Sequence, residues 1–477
     1  METTPLDDTA TKRTVLFIAC ISNFLVPFIG ASTQIALPTI GQEFKVDAIL
    51  LSWVATSQLL ATAMFLLPFG RISDIYGRKK IFLVGMIVYT IGSLISAMSI
   101  SILMLIVGRV IQGIGSALTM VTSFAILTSV FPREERGSAL GITVASVYTG
   151  LSLGPFLGGL LTQHLGWRSI FWINVPLGLG VIILVLWQLK GEWAEAKGER
   201  VDLPGSILYA LALLLGLYGL SQLPSNLGIG FVVVAGIGAF TFFFVEARTN
   251  SPVLDVRIFR SNLVFTFSNL AALLHYCSTY GVGFLMSLYL QYVKGLSPQN
   301  AGMILICQPI MMALFSPLAG RLSDRMEPRI IASLGMFFTS LGIFLLSFIG
   351  DNTGLPYIVV DLLIIGFGFA FFSSPNTNAV MSSVEKRYLG IASGTLGTMR
   401  VIGQAFSMGV IMMIFSIIIG KVRITPELYP QFLESAKIAL AIMGTLCFIG
   451  IFSSLARGKV RREEEKKNSE FRSQESD

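Results

Sequence analysis

The chain has 477 residues, of which 53% are hydrophobic and only 13% are charged, and its formal net charge is +7 at pH 7. Soluble globular proteins carry roughly 25% charged residues, so this composition excludes an ordinary soluble protein. The cations lie between apolar blocks and not along one face, which favours membrane topology over nucleic-acid binding as the source of the positive charge.

Apolar blocks predict fourteen membrane-spanning helices, because each block is long enough for a helix to cross the hydrocarbon core. In chain order the blocks cover 14–38, 50–69, 81–99, 102–131, 138–163, 169–189, 204–222, 227–246, 262–290, 299–319, 330–350, 355–375, 388–420 and 436–456. The first block follows two cations but lacks a convincing cleavage site, so we expect an uncleaved span. The predicted fold class is an all-α integral membrane protein.

Lysine and arginine predict the orientation of these spans. With the N-terminus in the cytoplasm, the cytoplasmic segments hold 26 of the 34 cations, the outer segments six and the spans two. This distribution is a strong positive-inside signal. We therefore expect a multi-pass protein of the cell (plasma) membrane with both termini in the cytoplasm.

Two parts of the chain resemble each other at an offset of about 250 residues. "GRISD" at 70–74 follows the second span and "GRLSD" at 320–324 follows the tenth, while "GIGSA" at 113–117 answers "GFGFA" at 366–370. Parallel repeats of this kind occur in transporters that bind substrate between two halves. The predicted domains are an N-terminal six-helix half (1–190), a linker with two extra spans (191–260), a C-terminal six-helix half (261–457) and a disordered cytoplasmic tail (458–477).

The loop after the second span has the pattern G-x-x-x-D-x-x-G-R-K, formed by Gly70, Asp74, Gly77, Arg78 and Lys79. Gly70 and Gly77 permit a tight turn. Asp74 can pair with Arg78 or with a helix N-terminus, where negative charge is favoured. In the second copy the Gly-Arg-Lys end is replaced by "EPR" at 327–329, so we expect a weaker or purely structural role there.

Two further motifs lie within spans. The fourth span contains L-x-x-x-R-x-x-Q-G, with Arg109 and Gln112, and the fifth contains G-x-x-x-G-P-x-x-G-G, formed by Gly150, Gly154, Pro155, Gly158 and Gly159. With the loop motif and the six-plus-six spans, they make the chain resemble the major facilitator superfamily. The fifth-span motif is similar to the signature of its exporters. "WRSIFWINVP" at 167–176, "VDLPG" at 201–205 and the extra spans resemble the fourteen-span drug:proton antiporter family, of the multidrug efflux type.

The resemblance implies roles for these motifs. The first loop would be a conformational gate that latches the halves together on the cytoplasmic side while the outer side is open. The fifth-span glycines let a neighbouring helix approach closely, and Pro155 favours a bend. They would form a bend or seal between the halves, with ordinary close packing as the alternative. The first span departs from the family at two positions: Ile29 lies where an Asp is usual and Gln34 where an Asn is usual. The missing Asp weakens a multivalent cation as substrate.

Ionisable groups within spans are functional hypotheses, because a charge at the bilayer centre costs about 2.5 kcal/mol or more. Arg109 and Asp361 lie at nearly the same depth in the fourth and twelfth spans, which are repeat mates. The resemblance implies that both spans line the central cavity. We therefore expect the two residues to face each other there, for binding or coupling, with a static ion pair or a water-exposed Asp361 as the alternative.

Other polar residues have two possible roles each. His275 in the ninth span can relay a proton or pack as a hydrogen-bonded core residue. For Arg400 in the thirteenth span a structural or gating role is favoured, with substrate contact as the alternative. Glu246, at the end of the eighth span, is expected at the membrane interface. The four cysteines, at 20, 277, 307 and 447, lie within apolar blocks and are expected to be packing residues.

The sequence shows no catalytic constellation, metal motif or Walker-type nucleotide motif, so we expect no enzyme activity and no cofactor. The first functional hypothesis is a proton-coupled exporter of small amphipathic or apolar compounds that works by alternating access. The second is a carrier for a specific metabolite such as a sugar, an organic anion or a siderophore, and the third is a membrane receptor without transport activity. The expected partners are a small-molecule substrate, protons and the lipid bilayer, and we expect a monomer.

Overall fold

The computed structural model of the chain describes residues 8–189, 191–194, 196, 198–199, 201–249, 252–254, 256–384 and 389–458. The regular elements of these residues are helices. The predicted tail lies outside the described residues, except for its first position, Gly458.

Sixteen α-helices follow one another along the described chain. The first eight are α1 (Asp8–Phe44), α2 (Ala48–Tyr76), α3 (Arg78–Ala97), α4 (Ile102–Val130), α5 (Arg133–Leu165), α6 (Arg168–Gln188), α7 (Leu203–Ser221) and α8 (Asn226–Glu246). The others are α9 (Val256–Ser261), α10 (Leu263–Leu288), α11 (Pro298–Leu305), α12 (Cys307–Arg325), α13 (Pro328–Leu346), α14 (Leu355–Ser382), α15 (Leu389–Ile418) and α16 (Tyr429–Ala456). A π-turn, Tyr289–Val293, extends α10.

Several helices begin at a polar side chain that accepts a hydrogen bond from the first turn. Asp47 caps α2, Ser101 caps α4, Ser225 caps α8, Asn262 caps α10 and Ser297 caps α11. Such caps satisfy backbone N–H groups that have no partner within the helix. The apolar sequence between the caps favours helices because a membrane offers backbone groups no other partner.

Within the described residues, thirteen helices are long and apolar enough to cross a membrane, with α11 and α12 counted as one. The predicted ninth span, α10, has 26 residues but is not among them. It carries buried polar residues, including Ser268, Asn269 and His275, and packs on α1, α14, α15 and α16. Its polar composition fits this packing, and the count of fourteen spans stays a prediction.

The helices form two bundles with the same internal contacts. In the first bundle α1 packs on α5, α2 on α4, and α3 on α4 and α6. In the second, α10 packs on α15, α12 on α14, and α13 on α14 and α16. We call α1–α6 the N-terminal half and α10–α16 the C-terminal half.

Glycines make the similarity of the halves specific. A Cβ added to Gly92 would lie 2.5 Å from Gln112 N, and one added to Gly342 would lie 2.6 Å from Ile365 Cγ1. Such positions hold two helices at backbone distance because any side chain would collide. The two pairs are offset by 250 and 253 residues, as the sequence motifs are. The close α3–α4 contact is therefore repeated between α13 and α14.

The α7–α8 pair lies beside the halves on one side only. Helix α7 contacts both α2 and α15, and Tyr209 on α7 donates a hydrogen bond of 2.8 Å to Ala63 O on α2. We call the end of the bundle near Asp8 and Ala456 the proximal end, and the opposite end, near Phe44 and Tyr429, the distal end.

Candidate transport pathway between the halves

Arg109 lies inside the N-terminal half with a side chain that is almost fully buried. Its Nε donates to Val54 O on α2 at 3.1 Å, and an Nη donates to Gln112 Oε1 at 2.6 Å. Gln112 Nε2 in turn donates to Ser93 Oγ on α3 at 2.7 Å. The predicted pair Arg109 and Gln112 is therefore brought together, and it joins α2, α3 and α4 through neutral acceptors.

The same guanidinium faces the C-terminal half. Tyr280 on α10 lies close to Arg109 and within hydrogen-bonding reach of Gln34 on α1. Gln34 is itself buried. Arg109 thus lies near the boundary between the halves at this level, with Tyr280 as the nearby polar group of the other half.

Asp361 does not face Arg109, contrary to the expectation from their depth. The repeated glycine contacts place Asp361 at the position of Gly108, whose added Cβ would meet Ser96 on α3, and place Leu362 at the position of Arg109. One residue turns a side chain by about 100° around a helix. Asp361 therefore points toward α13, within the C-terminal half. It is 2% exposed, and its Oδ2 has no donor among the described residues.

His275 is enclosed by apolar groups of the C-terminal half. Its ring stacks on Phe372 with 4.0 Å between centroids and lies 4.9 Å from the ring of Phe369. Its Nδ1 is 3.9 Å from Cys447 Sγ, and its Nε2 has no hydrogen-bond partner among the described residues. The contacts describe a packed imidazole, and the proton relay stays a prediction.

Arg400 lies where the two halves meet. Its guanidinium is 5.0 Å from the centroid of the Tyr276 ring. The Tyr276 hydroxyl is 3.4 Å from Ser373 Oγ, and Tyr148 of the N-terminal half reaches the same Oγ at 3.1 Å. Arg400 Nε has no hydrogen-bond partner, and no carboxylate of the described residues pairs with this cation. We call Tyr148, Tyr276, Ser373 and Arg400 the central cluster.

Sequence reasoning missed Tyr148 and Ser373. Neither residue belongs to a motif, and a hydroxyl in a span is common because it can bond its own helix backbone. Their pairing across the halves depends on a sequence separation of 225 residues. The sequence offered one weak hint for Tyr148. It is an aromatic residue next to the fifth-span glycines, one helical turn after Val144.

The predicted gate loop is shorter than expected. Helix α2 continues through Gly70 to Tyr76, so the prediction that Gly70 lies in the turn is wrong. Gly77 alone makes the turn, with φ of 113°, a backbone conformation that favours glycine. Asp74 Oδ1 accepts from Arg78 at 2.9 Å, and Arg78 also donates to Ser129 Oγ on α4 at 2.6 Å.

The linker after α6 holds the gate loop in this structure. Glu192 accepts from the backbone N–H groups of Lys79 and Lys80 at 2.9 and 3.2 Å, which caps α3. Arg78 N donates to Trp193 O at 2.8 Å, and Ala196 N donates to Asp74 O at 3.0 Å. These bonds attach the gate loop to the linker between α6 and α7. The same structure has a closed distal end, as the hydrogen bonds described below show.

The fifth-span motif presents two faces of α5. Gly150, Gly154 and Gly158 face α1, where an added Cβ would lie 2.5 Å from Phe24 O, 2.6 Å from Ala31 Cβ and 2.6 Å from Ser32 Cα, respectively. Gly159 instead faces Pro298 O on α11, and Pro155 O faces Gly302 of α11. The second face crosses from one half to the other.

Hydrogen bonds close the distal end between the halves. Ser287 Oγ donates to Gln34 O at 2.7 Å, and Gln291 Nε2 donates to Ile35 O at 2.9 Å. The backbone joins as well, because Ala48 N donates to Val422 O at 3.1 Å. Together with the glycine contact, these bonds keep the central cluster away from the distal side.

A buried arginine outside the motifs organises the proximal end of the C-terminal half. Arg457 donates to Asn376 Oδ1 at 2.9 Å, to Ser454 Oγ at 2.8 Å and to Pro328 O at 3.3 Å. Burial lowers the pKa of the Arg457 guanidinium to about 9, and Arg329 acts in the same direction. Arg457 thus joins α13, α14 and α16 at their proximal ends.

Comparison with known proteins gives consistent matches. The family model described as "Major Facilitator Superfamily" matches residues 19–408 and again 268–476. The chain is similar to the riboflavin transporter RibZ of Clostridioides difficile, with 31% identity over 83% of this chain and 86% of that protein. It is 33% identical to the cephamycin export protein CmcT of Amycolatopsis lactamdurans, over 85% of each.

A third relative and two solved structures extend the comparison. The multidrug resistance protein Stp of Mycobacterium tuberculosis is 30% identical over 84% of this chain and 75% of its own length. A peptide transporter POT in complex with alafosfalin superposes with a TM-score of 0.67 at 14% identity, over 93% of this chain and 98% of that one. The human organic anion transporter MFSD10 gives 0.62 at 15% identity, over 94% and 100%. The two structures support the fold alone.

Proposed function

The chain belongs to the major facilitator superfamily, and from that premise we propose that it is a proton-coupled exporter of small amphipathic or apolar compounds. As a member it is a membrane transporter for small molecules and not an enzyme. The proposal adds direction, coupling ion and substrate class, together with the fourteen-span drug:proton antiporter family, a plasma-membrane location and both termini in the cytoplasm.

The observation that carries alternating access is the close backbone contact between α5 and α11. Gly159 and Gly302 let the two halves meet without an intervening side chain, so the distal end can close completely. A transporter that alternates between two openings needs such a closed state on one side. The relatives named for cephamycin export and multidrug resistance support the outward direction.

Asp361 supports the proton as coupling ion. It is a buried carboxyl in a span, and its Oδ2 lacks a donor among the described residues. An ionised carboxylate without a partner is costly in such surroundings. Asp361 should therefore hold a proton in these surroundings and release it when the surroundings change. Alternating access would provide that change. The gate loop, held by Glu192 in this state, is the element that exchanges partners as the halves move.

The experiment measures efflux of an amphipathic dye from vesicles that contain the purified protein, with and without a pH gradient. We expect the gradient to drive efflux and its collapse to stop it. Asp361→Asn removes the ionisable group and is expected to abolish the dependence on the gradient, while Asp351→Asn, an exposed aspartate before α14, serves as the matched control. Unchanged efflux after collapse of the gradient would refute proton coupling.

The central cluster favours one alternative, a carrier for an organic anion. Arg400 lacks a carboxylate partner among the described residues and lies against a tyrosine ring, which suits a planar anion. Competition separates the two functions. Aromatic carboxylates should inhibit transport more strongly than lipophilic cations if the substrate is an anion, and Arg400→Gln should remove that preference.

A further inference from the structure

Two carboxyl groups meet at the proximal ends of the inserted helices α7 and α8. Asp202 precedes α7, and Glu246 is the last residue of α8. A Cβ added to Gly205 would lie 2.5 Å from Glu246 Oε1 and closer still to Asp202 Oδ2, so the two oxygens are less than twice that distance apart. The side chains are within hydrogen-bonding reach of each other.

Each carboxyl already uses its other oxygen. Asp202 Oδ1 accepts from Gly205 N at 3.0 Å and caps α7, while Glu246 Oε2 accepts from Leu254 N at 3.2 Å. The facing oxygens have no donor among the described residues. Glu246 is only 1% exposed, because the 252–254 segment covers it. The expected position at the membrane interface stays a prediction, and the structure adds that the side chain is buried within the protein at that end of α8.

The neighbouring charges are engaged elsewhere. The Arg248 guanidinium lies 4.0 Å from the ring centroid of Phe244, and Arg257 donates to Thr249 O at 3.0 Å. On the elements packed against α7 and its linker, the charged groups are Arg71, which pairs with Glu199, Asp74, which pairs with Arg78, and Arg400, which lies over Tyr276. Five further charged residues of these segments lie outside the described residues: Lys190, Glu195, Lys197, Arg200 and Asp255.

We propose that Asp202 and Glu246 share one proton between Oδ2 and Oε1. Glu246 is buried and Asp202 is half-buried, with its Oδ2 covered. If both carboxyls were ionised, two like charges would face each other through covered oxygens without a donor, which is unfavourable. One proton turns either carboxyl into a donor and the other into its acceptor. A divalent metal ion fits the site poorly, because magnesium and calcium take six or more oxygen ligands and the described residues hold no group of three or more metal-binding side chains.

The shared proton links the segment that precedes α7 to the segment that follows α8. Asp202 follows the linker that holds the gate loop through Glu192 and Trp193. Glu246 fixes Leu254, which is buried in one apolar cluster with Leu60 of α2. Loss of the proton separates these two connections by charge repulsion, so this site is distinct from Asp361 in place and in role.

Thermal unfolding of the purified full-length protein across mildly acidic to mildly alkaline pH tests the proposal. The folded protein holds a proton that the unfolded chain releases, so its stability falls as pH rises. We expect the Tm of the wild type to drop by several degrees over this range. Glu246→Gln should remove that part of the slope, because its amide donates to Asp202 Oδ2 at every pH. Glu434→Gln, an exposed change on α16, should keep the wild-type profile.

Infrared spectroscopy provides a second readout that a merely structural role would not change. At neutral pH the carbonyl absorption of protonated carboxyls should be weaker by one group in Glu246→Gln and in Asp202→Asn, which keeps the helix cap, than in the wild type, while any contribution from Asp361 is the same in all three proteins. Equal pH slopes and equal bands in wild type and both variants would overturn the proposal. A Tm that rises with added sodium or calcium ions in the wild type alone would also overturn it, in favour of a bound cation.

Discussion

The α5–α11 and α2–α15 contacts join the halves at equivalent places of the repeat, yet they are built differently. Gly150 and Gly403 show the equivalence: an added Cβ would lie 2.5 Å from Phe24 O and 2.6 Å from Leu273 O, respectively. Nine residues further along α5, Gly159 meets the backbone of α11, whereas the equivalent Met412 of α15 lies 3.9 Å from Thr56 Oγ1 through its sulfur. One contact is backbone against backbone, and the other is mediated by side chains.

The inserted helices lie beside the side-chain contact. Helix α7 packs on both α2 and α15, and Leu217 and Leu220 of α7 cover Gly409 of α15. Methionine adapts to changing neighbours because its side chain is unbranched and flexible, whereas a glycine contact has one spacing. The comparison predicts that the α5–α11 contact is the more sensitive to an added side chain, whereas the α2–α15 contact tolerates the exchange of one flexible side chain for another.

A bulky residue at Gly159 should break this comparison most strongly. Gly159→Leu places a side chain against Pro298 O and should destabilise the closed state by about 1–3 kcal/mol, as overpacking does, which shifts its population about 5- to 150-fold. Efflux from vesicles should fall accordingly, and cysteine labelling at the distal end should increase. Met412→Leu at the equivalent position is the control and should change efflux little. Equal losses in both variants would contradict the assigned difference.

Alanine at the two equivalent glycines sharpens the comparison. Gly150→Ala and Gly403→Ala each push a methyl group toward a carbonyl oxygen of the neighbouring helix, so each should cost about 1–3 kcal/mol of stability. Because the geometry is repeated, the two decreases in Tm should be similar. A large difference between them would show that the halves are less alike than their glycine contacts indicate.

The smallest expected effect concerns the distal hydrogen bonds. Ser287→Ala removes the bond to Gln34 O, and a typical hydrogen bond contributes about 0.5–1.5 kcal/mol. Distal labelling should therefore increase by about tenfold or less, without loss of folding. Ser278→Ala is the matched control on the same helix, because the Ser278 hydroxyl donates to Leu274 O within α10. Equal labelling of the two variants would remove this bond from the closure.

Residues close in sequence were predicted well. Of the two partners expected for Asp74, Arg78 or a helix N-terminus, the structure contains Arg78, whose Nη2 lies 2.8 Å from Asp74 Oδ1 across the turn at Gly77. The turn at Gly77 was predicted from the same motif, whereas Gly70 was misplaced because α2 extends beyond its apolar block. The hydropathy that defines a span says little about where a helix ends.

Predictions across helices were less accurate. The comparable depth of Arg109 and Asp361 was recognised, but the one-residue difference in register turns Asp361 toward α13. Glu246 was expected at the interface from its place at a span end, but its burial under the chain that follows α8 had no signal in the sequence. The Tyr148–Ser373 contact of the central cluster had no signal in either helix alone.

The sequence by itself determined that the chain is a helical membrane protein with a repeat and transporter motifs, because hydropathy, charge bias and short spacings are properties of single segments. Only the tertiary structure decided which face of each helix meets another. That choice depends on packing between residues hundreds of positions apart. A shift of one residue along a helix turns a side chain by about 100° and so changes which helix it contacts.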